Sequence, residues 1–197
     1  MDRNEVNVRG FVTSEFEYDH EVWGESFYRM KIETLRLSGE KDEIMVLVSE
    51  RLMDITKSLV GKCIEVYGKY KSYNKHEEGK EQSKLILYVL AQEIWITDDD
   101  KVHFNRINLE GTICKPPVYR VTPLCREIVD IFLAVNSKYG KSSYIPCIAW
   151  GRHARYLAKF SVGERLEISG RMQSRIYQKA GNKNVAYEVN IVTFREL

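Results

Sequence analysis

Apolar and polar residues alternate in short runs along this chain of 197 residues. The clearest runs lie in the second half, at Ile107, Leu109 and Ile113 and at Leu166, Ile168 and Met172. A period of two is typical of strands with one buried face, because successive side chains of a strand point to opposite sides. Glycines at 111 and 170 interrupt these runs, where a strand commonly bends or bulges. The pattern predicts an all-β protein.

One pattern occurs in both halves of the chain. Residues 6–12 (VNVRGFV) and 107–113 (INLEGTI) share the order aliphatic-Asn-aliphatic-x-Gly-x-aliphatic at an offset of 101. Residues 60–69 match residues 162–171 at an offset of 102, and Gly39 and Ile44 align with Gly140 and Ile145. Three matches in one order predict two copies of one domain, at 1–100 and 104–197. The charged stretch 97–101 is typical of a solvated boundary between them.

Each copy contains one stretch with a helical pattern between strands. We expect helices over 152–160, ending near Gly163, and over 50–59, ending near Gly61. About five strands with a helix between the third and the fourth is the plan of the OB-fold, a small Greek-key barrel. The pattern alone leaves a barrel and a sandwich open.

Charge divides the chain into unlike halves. Residues 1–100 hold 14 Lys and Arg against 21 Asp and Glu, a net charge of −7. Residues 101–197 hold 16 against 7, a net charge of +9. A domain this basic attracts polyanions, although a solvated basic surface without a partner has the same composition.

Several classes of protein are disfavoured. The longest apolar runs are far short of the roughly 20 residues of a membrane span, and the polar N-terminus does not resemble a secretory signal, so we expect a cytoplasmic protein. Cys63, Cys114, Cys125 and Cys147 lie too far apart for a metal finger. We expect neither a metal nor a cofactor, and phosphate-loop and nucleophile motifs do not occur, so no enzyme is predicted.

The first candidate site lies on one strand. Alternate residues share a face, so Arg171, Gln173, Arg175 and Tyr177 project together, while Met172, Ser174 and Ile176 project to the other side. Guanidinium groups beside a ring suit a nucleic acid strand, with phosphates on the cations and a base on the ring. An ordinary solvated face explains the charges but not the tyrosine.

The second candidate site is a set of three rings. Tyr139 lies at a predicted hairpin tip between Lys138 and Lys141. Tyr144 and Trp150 are six residues apart, which places them on one face of a regular strand. Pro146 lies between them and predicts an edge strand or a bulge, which leaves this parity open, and core packing of Trp150 is the alternative.

At these residues the second half, from about 105 to 197, resembles a bacterial single-stranded DNA-binding protein. The resemblance lies in four segments in order, which are residues 105–111 (NRINLEG), 132–136 (FLAVN), 144–152 (YIPCIAWGR), and 162–163 followed by 170–177 (GRMQSRIY). It implies an OB-fold that binds single-stranded DNA during replication, recombination or repair. It also implies that bases stack at Tyr139, Tyr144, Trp150 and Tyr177.

Around these rings we expect phosphate contacts from eight cations, which are Arg106, Arg120, Lys138, Lys141, Arg152, Arg171, Arg175 and Lys179. The repeat alignment places Ser38, Glu43 and Ser49 where the second copy has Tyr139, Tyr144 and Trp150. We therefore expect the first copy to be a degenerate OB-fold with a structural or partner-binding role. Tyr70, Tyr73 and Lys75 leave it a weak auxiliary role in DNA binding.

The resemblance carries two further expectations. Members of the family usually present four OB-folds together, so two per chain predict a homodimer. They usually end in a long tail with an acidic tip that recruits partner proteins, whereas this chain stops at Leu197, so such recruitment is not expected. A module that mainly holds partner proteins, an RNA-binding protein and a nuclease are the rival interpretations.

Overall fold

The computed structural model describes residues 3–76, 83–98, 102–137, 140–179 and 182–197, without the side chains of 176–179 and 182–184. Two compact units account for the chain. The first unit contains residues Glu5–Lys71 and Leu87–Arg106. The second unit contains residues Met1–Asn4, Ser72–Ile86 and Ile107–Leu197. The limits 1–100 and 104–197 stay a prediction.

Within the described residues, most of the first unit is built by six strands, which are β1 (Asn4–Val12), β2 (Glu17–Val22), β3 (Glu25–Leu35), β4 (Lys41–Ser49), β5 (Cys63–Lys75) and β6 (Lys84–Ile96). Asn4, residues 72–75 of β5 and residues 84–86 of β6 belong to the second unit. Five of the six strands form a barrel in the order β1-β5-β6-β4-β3, which closes where β3 pairs with β1. The sixth strand, β2, is added to the outer edge of β3 through a tight turn at Trp23 and Gly24, both of which have positive φ.

The second unit has β7 (Phe104–Val121, of which residues 104–106 belong to the first unit), β8 (Glu127–Asn136), β9 (Ser142–Trp150), helix α1 (Arg152–Leu157), β10 (Arg165–Lys179) and β11 (Asn182–Glu196). The strands follow the order β7-β8-β9-β11-β10, and β10 pairs with β7 to close the barrel. In the opposite direction around the barrel the order is β7-β10-β11-β9-β8, which matches the first barrel strand for strand. Each barrel contains one parallel pair, β4–β6 in the first and β9–β11 in the second. The all-β prediction and the tandem OB-folds are confirmed.

Alternating apolar residues fill both barrels, as the period of two predicts. Val6, Val8, Ile64 and Val66 are buried in the first barrel. The residues of the two runs in the second half, Ile107, Leu109, Ile113, Leu166, Ile168 and Met172, are buried in the second. Their outward neighbours are therefore free to carry function.

Glycines at equivalent positions of the two barrels, Gly68 and Gly170, belong to the repeated segments 60–69 and 162–171. A Cβ atom at Gly68 would lie 2.2 Å from the Leu90 carbonyl oxygen, and one at Gly170 would lie 2.1 Å from that of Asn190. Neither distance is compatible with a side chain, so both barrels require glycine where strands cross closely. The ladder of β10 shifts register between Ser169 and Gly170, which confirms the predicted irregularity.

Two local predictions are wrong. Residues 50–59 form turns rather than a helix, because Asp54 accepts a hydrogen bond from the backbone N–H of Thr56 and Ser49 accepts one from that of Arg51. Such local bonds compete with helical ones. Strand β9 is not an edge strand, since it pairs with β8 on one side and with β11 on the other, at Cys147 and Ile148. Within the described ranges no helix is long and apolar enough to cross a membrane.

Candidate nucleic-acid interface

The register of the second barrel places Tyr144 and Trp150 on one outward face. Directly opposed residues of neighbouring strands share a side of the sheet. In β8, Ala134 lies opposite Tyr144 and Ile128 lies opposite Trp150. Residues 145, 147 and 149 of β9 are buried in the barrel, so the alternate residues 144 and 150 point outward. Their exposed fractions are 44% for Tyr144 and 39% for Trp150. The alternative of Trp150 in the core is therefore wrong.

The same face continues onto β11 and β10. Asn190 lies beside Ile148 of β9 and opposite Arg171 of β10. Two residues further along β10, Gln173 opposes Glu188, and Arg175 opposes Ala186. The backbone register extends this row to Tyr177, whose side chain is outside the described residues. We call this surface, which carries Tyr144, Trp150, Arg171 and Arg175, the candidate face.

A ring that the sequence did not single out as a site residue extends the aromatic surface. Phe132 is directly opposite Pro146, on the same side as Tyr144, and its ring is nearly parallel to the Tyr144 ring at a centroid distance of 6.4 Å. The ammonium of Lys115 lies 4.5 Å from the Phe132 centroid. The signal was present in the sequence, because Ile131, Leu133 and Val135 alternate inward and leave residue 132 outward.

Carboxylates bind two of the arginines that were predicted to contact phosphates, Arg120 and Arg175. Arg120 binds Asp130 through two hydrogen bonds, from Nε at 2.6 Å and from an Nη atom at 3.1 Å, and this contact raises the pKa of Arg120. The buried Glu188 accepts hydrogen bonds from Gln173 at 2.7 Å and from Arg175 at 3.3 Å. Gln173 is therefore buried rather than displayed, and the arginines are oriented by acids that sequence reasoning missed.

Two polar atoms on the candidate face have no hydrogen-bond partner within the described part of the chain. They are Nε of Arg171 and Oδ1 of Asn190, both buried, on residues that oppose each other across β10 and β11. Buried polar atoms normally find a partner, in the protein, in water or in a ligand.

The other predicted phosphate contacts are distributed unequally. Lys141 and Arg152 are exposed in the second unit, near the two ends of β9. Arg106 belongs to the first unit, where its guanidinium lies 5.8 Å from the Phe104 ring centroid. Lys138 and Tyr139 lie outside the described residues, and so does the side chain of Lys179.

Equivalent positions of the first barrel carry different chemistry. The pairing Glu33–Glu43 corresponds to Ala134–Tyr144, and Phe27–Ser49 corresponds to Ile128–Trp150. Lys31, at the position of Phe132, forms an ion pair with Glu43 at 3.1 Å. Ser49, at the position of Trp150, is buried. Strand β4 therefore has no aromatic ring at Glu43 or Ser49, the positions that correspond to Tyr144 and Trp150.

Comparisons with known proteins agree with this geometry. The model of the single-strand binding protein family matches residues 104–197. The chain is 36% identical to a single-stranded DNA-binding protein of Clostridium tetani over 93 residues, which cover 43% of this chain and 64% of that protein. It is 30% identical to single-stranded DNA-binding protein B of Bacillus subtilis over 89 residues, which cover 42% of this chain and 79% of that protein.

The chain belongs to the single-strand binding protein family. It spans just under two thirds of the Clostridium tetani relative and about half of single-stranded DNA-binding protein A of Bacillus subtilis, at 51%. The wild-type single-stranded DNA-binding protein of Thermus aquaticus shares the fold with a TM-score of 0.75 at 18% identity, over all of this chain and 93% of that one. The tandem arrangement is thus a known form of the fold.

Proposed function

We propose that this chain binds single-stranded DNA with little sequence specificity and catalyses no reaction. The observation that carries the proposal is the candidate face, where the exposed rings of Tyr144 and Trp150 lie on the same side as the guanidinium groups of Arg171 and Arg175. Every base has a flat face for a ring, and every nucleotide has a phosphate for a cation. Neither contact reads base identity.

The proposed stacking residues are Tyr139, Tyr144, Trp150 and Tyr177, with phosphate contacts from Arg106, Arg120, Lys138, Lys141, Arg152, Arg171, Arg175 and Lys179. Stacking is worth roughly 1–3 kcal/mol per base, before the cost of ordering a flexible strand. If about five cations bind phosphates, log K falls with log[salt] at a slope near −3 to −4. The affinity would thus combine a stacking part and a salt-sensitive part.

In this proposal the first unit has a structural or partner-binding role. Its half of the chain has a net charge of −7, and the Lys31–Glu43 ion pair occupies the place of the aromatic stack. Both features oppose a polyanion. Protection of exposed single strands in the cytoplasm during replication, recombination or repair is the corresponding role of the whole chain.

We also propose a homodimer with four OB-folds. Family members usually present four such barrels together, and this chain supplies two. Light scattering of the purified chain should give twice the mass of one chain, and a mass equal to one chain would contradict the dimer without affecting the DNA-binding proposal.

A fluorescence titration with oligo-dT tests the DNA site. The chain has three tryptophans, at 23, 95 and 150, so a Trp23→Phe/Trp95→Phe background leaves Trp150 as the only reporter. Oligo-dT should quench its emission. Affinities of variants in the otherwise unaltered chain are measured by the anisotropy of a dye-labelled oligo-dT. Trp150→Ala with Tyr177→Ala should weaken binding about ten-fold or more at fixed salt. The matched control is Trp23→Ala, whose ring is 99% exposed on the first unit. Unchanged affinity in the folded double variant would rule out this site.

One observation favours a role in holding partner proteins. The β2–β3 hairpin is an addition to the five-stranded plan, and its turn exposes Trp23 almost completely. Aromatic residues are enriched at interfaces between proteins. A folded chain that binds neither oligo-dT nor poly-U would favour this role, and preference for poly-U in a competition at equal salt would favour RNA.

A further inference from the structure

A second cationic and aromatic surface lies outside the candidate face. In the second unit, α1 and the end of β11 enclose a shallow groove of about 640 Å³ that is open to solvent. Its lining consists of Arg152, His153, Tyr156, Thr193, Phe194, Arg195 and Glu196. We call it the α1–β11 groove.

Phe194 contacts two other rings of this groove. Phe194 is centred 5.4 Å from His153 in an edge-on arrangement and 5.6 Å from Tyr156 in a tilted one. Tyr156 is about half exposed although it also contacts Phe160. A partly exposed ring supported from behind offers a flat surface on which a base can stack.

Two arginines also line the groove. Arg152 is exposed and has no ion pair within the described part of the chain. Arg195 forms an ion pair with Glu167, yet 71% of its side chain stays exposed. The single carboxylate of the groove, Glu196, accepts a hydrogen bond from the Tyr156 hydroxyl at 2.7 Å, which raises the pKa of Tyr156. The groove therefore combines rings with the positive charge of Arg152, and Arg195 adds a second cation that is paired with Glu167.

The barrel itself does not require this chemistry. The pairs Leu47–Leu90 in the first barrel and Ile148–Asn190 in the second make residues 94 and 95 equivalent to residues 194 and 195. The first barrel has Ile94 and Trp95 there, and the offset of 101 places Leu52 and Ile55 where the second has His153 and Tyr156. Apart from Arg51, which corresponds to Arg152, the first barrel has no cation at these positions.

The groove also begins where the candidate face ends. Trp150 and Arg152 are separated by one residue, so their Cα atoms are at most about 7.6 Å apart. A strand that stacks on Trp150 can therefore bring its next phosphate to Arg152 without crossing a gap.

From these contacts we infer that the α1–β11 groove is a second binding site for the same strand. It takes a nucleotide beyond Trp150, with the base against Tyr156 and Phe194 and the phosphate between Arg152 and Arg195. The inference rests on the proposed function and extends it, because it assigns part of the occluded DNA length to a surface outside the candidate face.

Two lengths of oligo-dT separate this site from the candidate face. An OB-fold occupies about 4–16 nucleotides, so an oligomer of about 5 can bind on the candidate face alone, whereas one of about 15 extends into the groove. The test variant is Phe194→Leu with Arg195→Gln in the full chain, which keeps apolar volume but removes a ring and a charge. The control is Lys62→Gln, an exposed cation of the first unit.

We expect the variant to lose about five-fold or more in affinity for the long oligomer and none for the short one. The salt slope for the long oligomer should become shallower by about 0.7. Equal affinity of the variant and the unaltered chain for both lengths would overturn the groove and leave the proposed function intact, as expected if the groove takes a protein segment. An equal loss at both lengths would also overturn it.

Failure of the unaltered chain to bind either oligomer would instead remove the proposed function and the groove together. Thermal unfolding monitors whether the variant is folded. If it is not, Arg195→Gln alone is used, since this exposed side chain can be replaced without altering the core. For that variant the salt slope decides, and an unchanged slope for the long oligomer counts against the groove.

Discussion

The ring of Phe132 lies nearly parallel to the ring of Tyr144, at an interplanar angle of 12°. At the same two positions of the first barrel, Lys31 and Glu43 form an ion pair. The strand pairings at these positions are equivalent, so the barrel supplies the same geometry to both sets of side chains. The aromatic surface is therefore a property of the residues placed on one copy and not of the fold.

Phe132→Leu should weaken the binding of oligo-dT. Leucine preserves most of the apolar volume but cannot support the Tyr144 ring, and aromatic pairs of this kind are worth about 0.5–1.5 kcal/mol. We expect a loss of about two- to ten-fold, measured by titration at fixed salt. Phe27→Leu is the matched control, because Phe27 belongs to the first unit and stacks on His20. Equal losses in the two variants would contradict a specific role for Phe132.

The sequence predicts the strands, the repeat and the outward rings because each depends on local alternation or on short-range spacing. Tyr144 and Trp150 could be assigned to one face from their separation of six, provided that β9 is regular, as it is. The helix predicted at 50–59 does not form, because the side chains of Ser49 and Asp54 accept hydrogen bonds from nearby backbone N–H groups, which propensity does not show.

The carboxylates of the candidate face were missed for a different reason. Asp130 and Arg120 are brought together by the β7–β8 hairpin, and Glu188 meets Gln173 across β10 and β11. These pairs depend on strand register, which a single sequence does not reveal. The net charge of residues 101–197 therefore does not show that Arg120 and Arg175 contact carboxylates.

Asp130→Asn should strengthen the binding of DNA. The amide keeps the size of the side chain but removes a negative charge that neutralises Arg120. Loss of one such charge near a surface phosphate is worth about 1 kcal/mol, or about five-fold in affinity at low salt. The gain should shrink as salt rises, because screening weakens exposed charges.

The control for Asp130→Asn is Glu43→Gln, which removes the acid of the corresponding ion pair in the first unit. Both variants change net charge by the same amount. A similar gain in the control would show that only overall charge matters, and weaker binding by Asp130→Asn would show that the ion pair is needed to orient Arg120.

Gly170→Ala should destabilise the second barrel. The new Cβ atom would lie 2.1 Å from the Asn190 carbonyl oxygen, so the strands must separate. Overpacking of this kind costs roughly 1–3 kcal/mol in the free energy of unfolding. Gly68→Ala should cost a similar amount in the first barrel, where the carbonyl belongs to Leu90. Ser161→Ala, at an exposed turn, is the control, and denaturant unfolding that cannot distinguish Gly170→Ala from it would contradict the close strand crossing.

The cysteines should differ in reactivity in the order of their burial. Cys125 is exposed, whereas Cys147 is buried in the second barrel, where burial raises the pKa of its thiol. Since the thiolate is the reactive form, iodoacetamide at about pH 8 should modify Cys125 in the native chain and Cys147 only after unfolding. Because the pKa of the Cys147 thiol is higher in the folded chain than in the unfolded chain, the unfolded chain loses this proton at a lower pH. The free energy of unfolding should therefore fall as the pH rises above about 8.5. Mass spectrometry of the native and the urea-unfolded chain, with Cys125→Ser as the control, measures the order, and alkylation of native Cys147 at the rate of Cys125 would contradict the closed barrel.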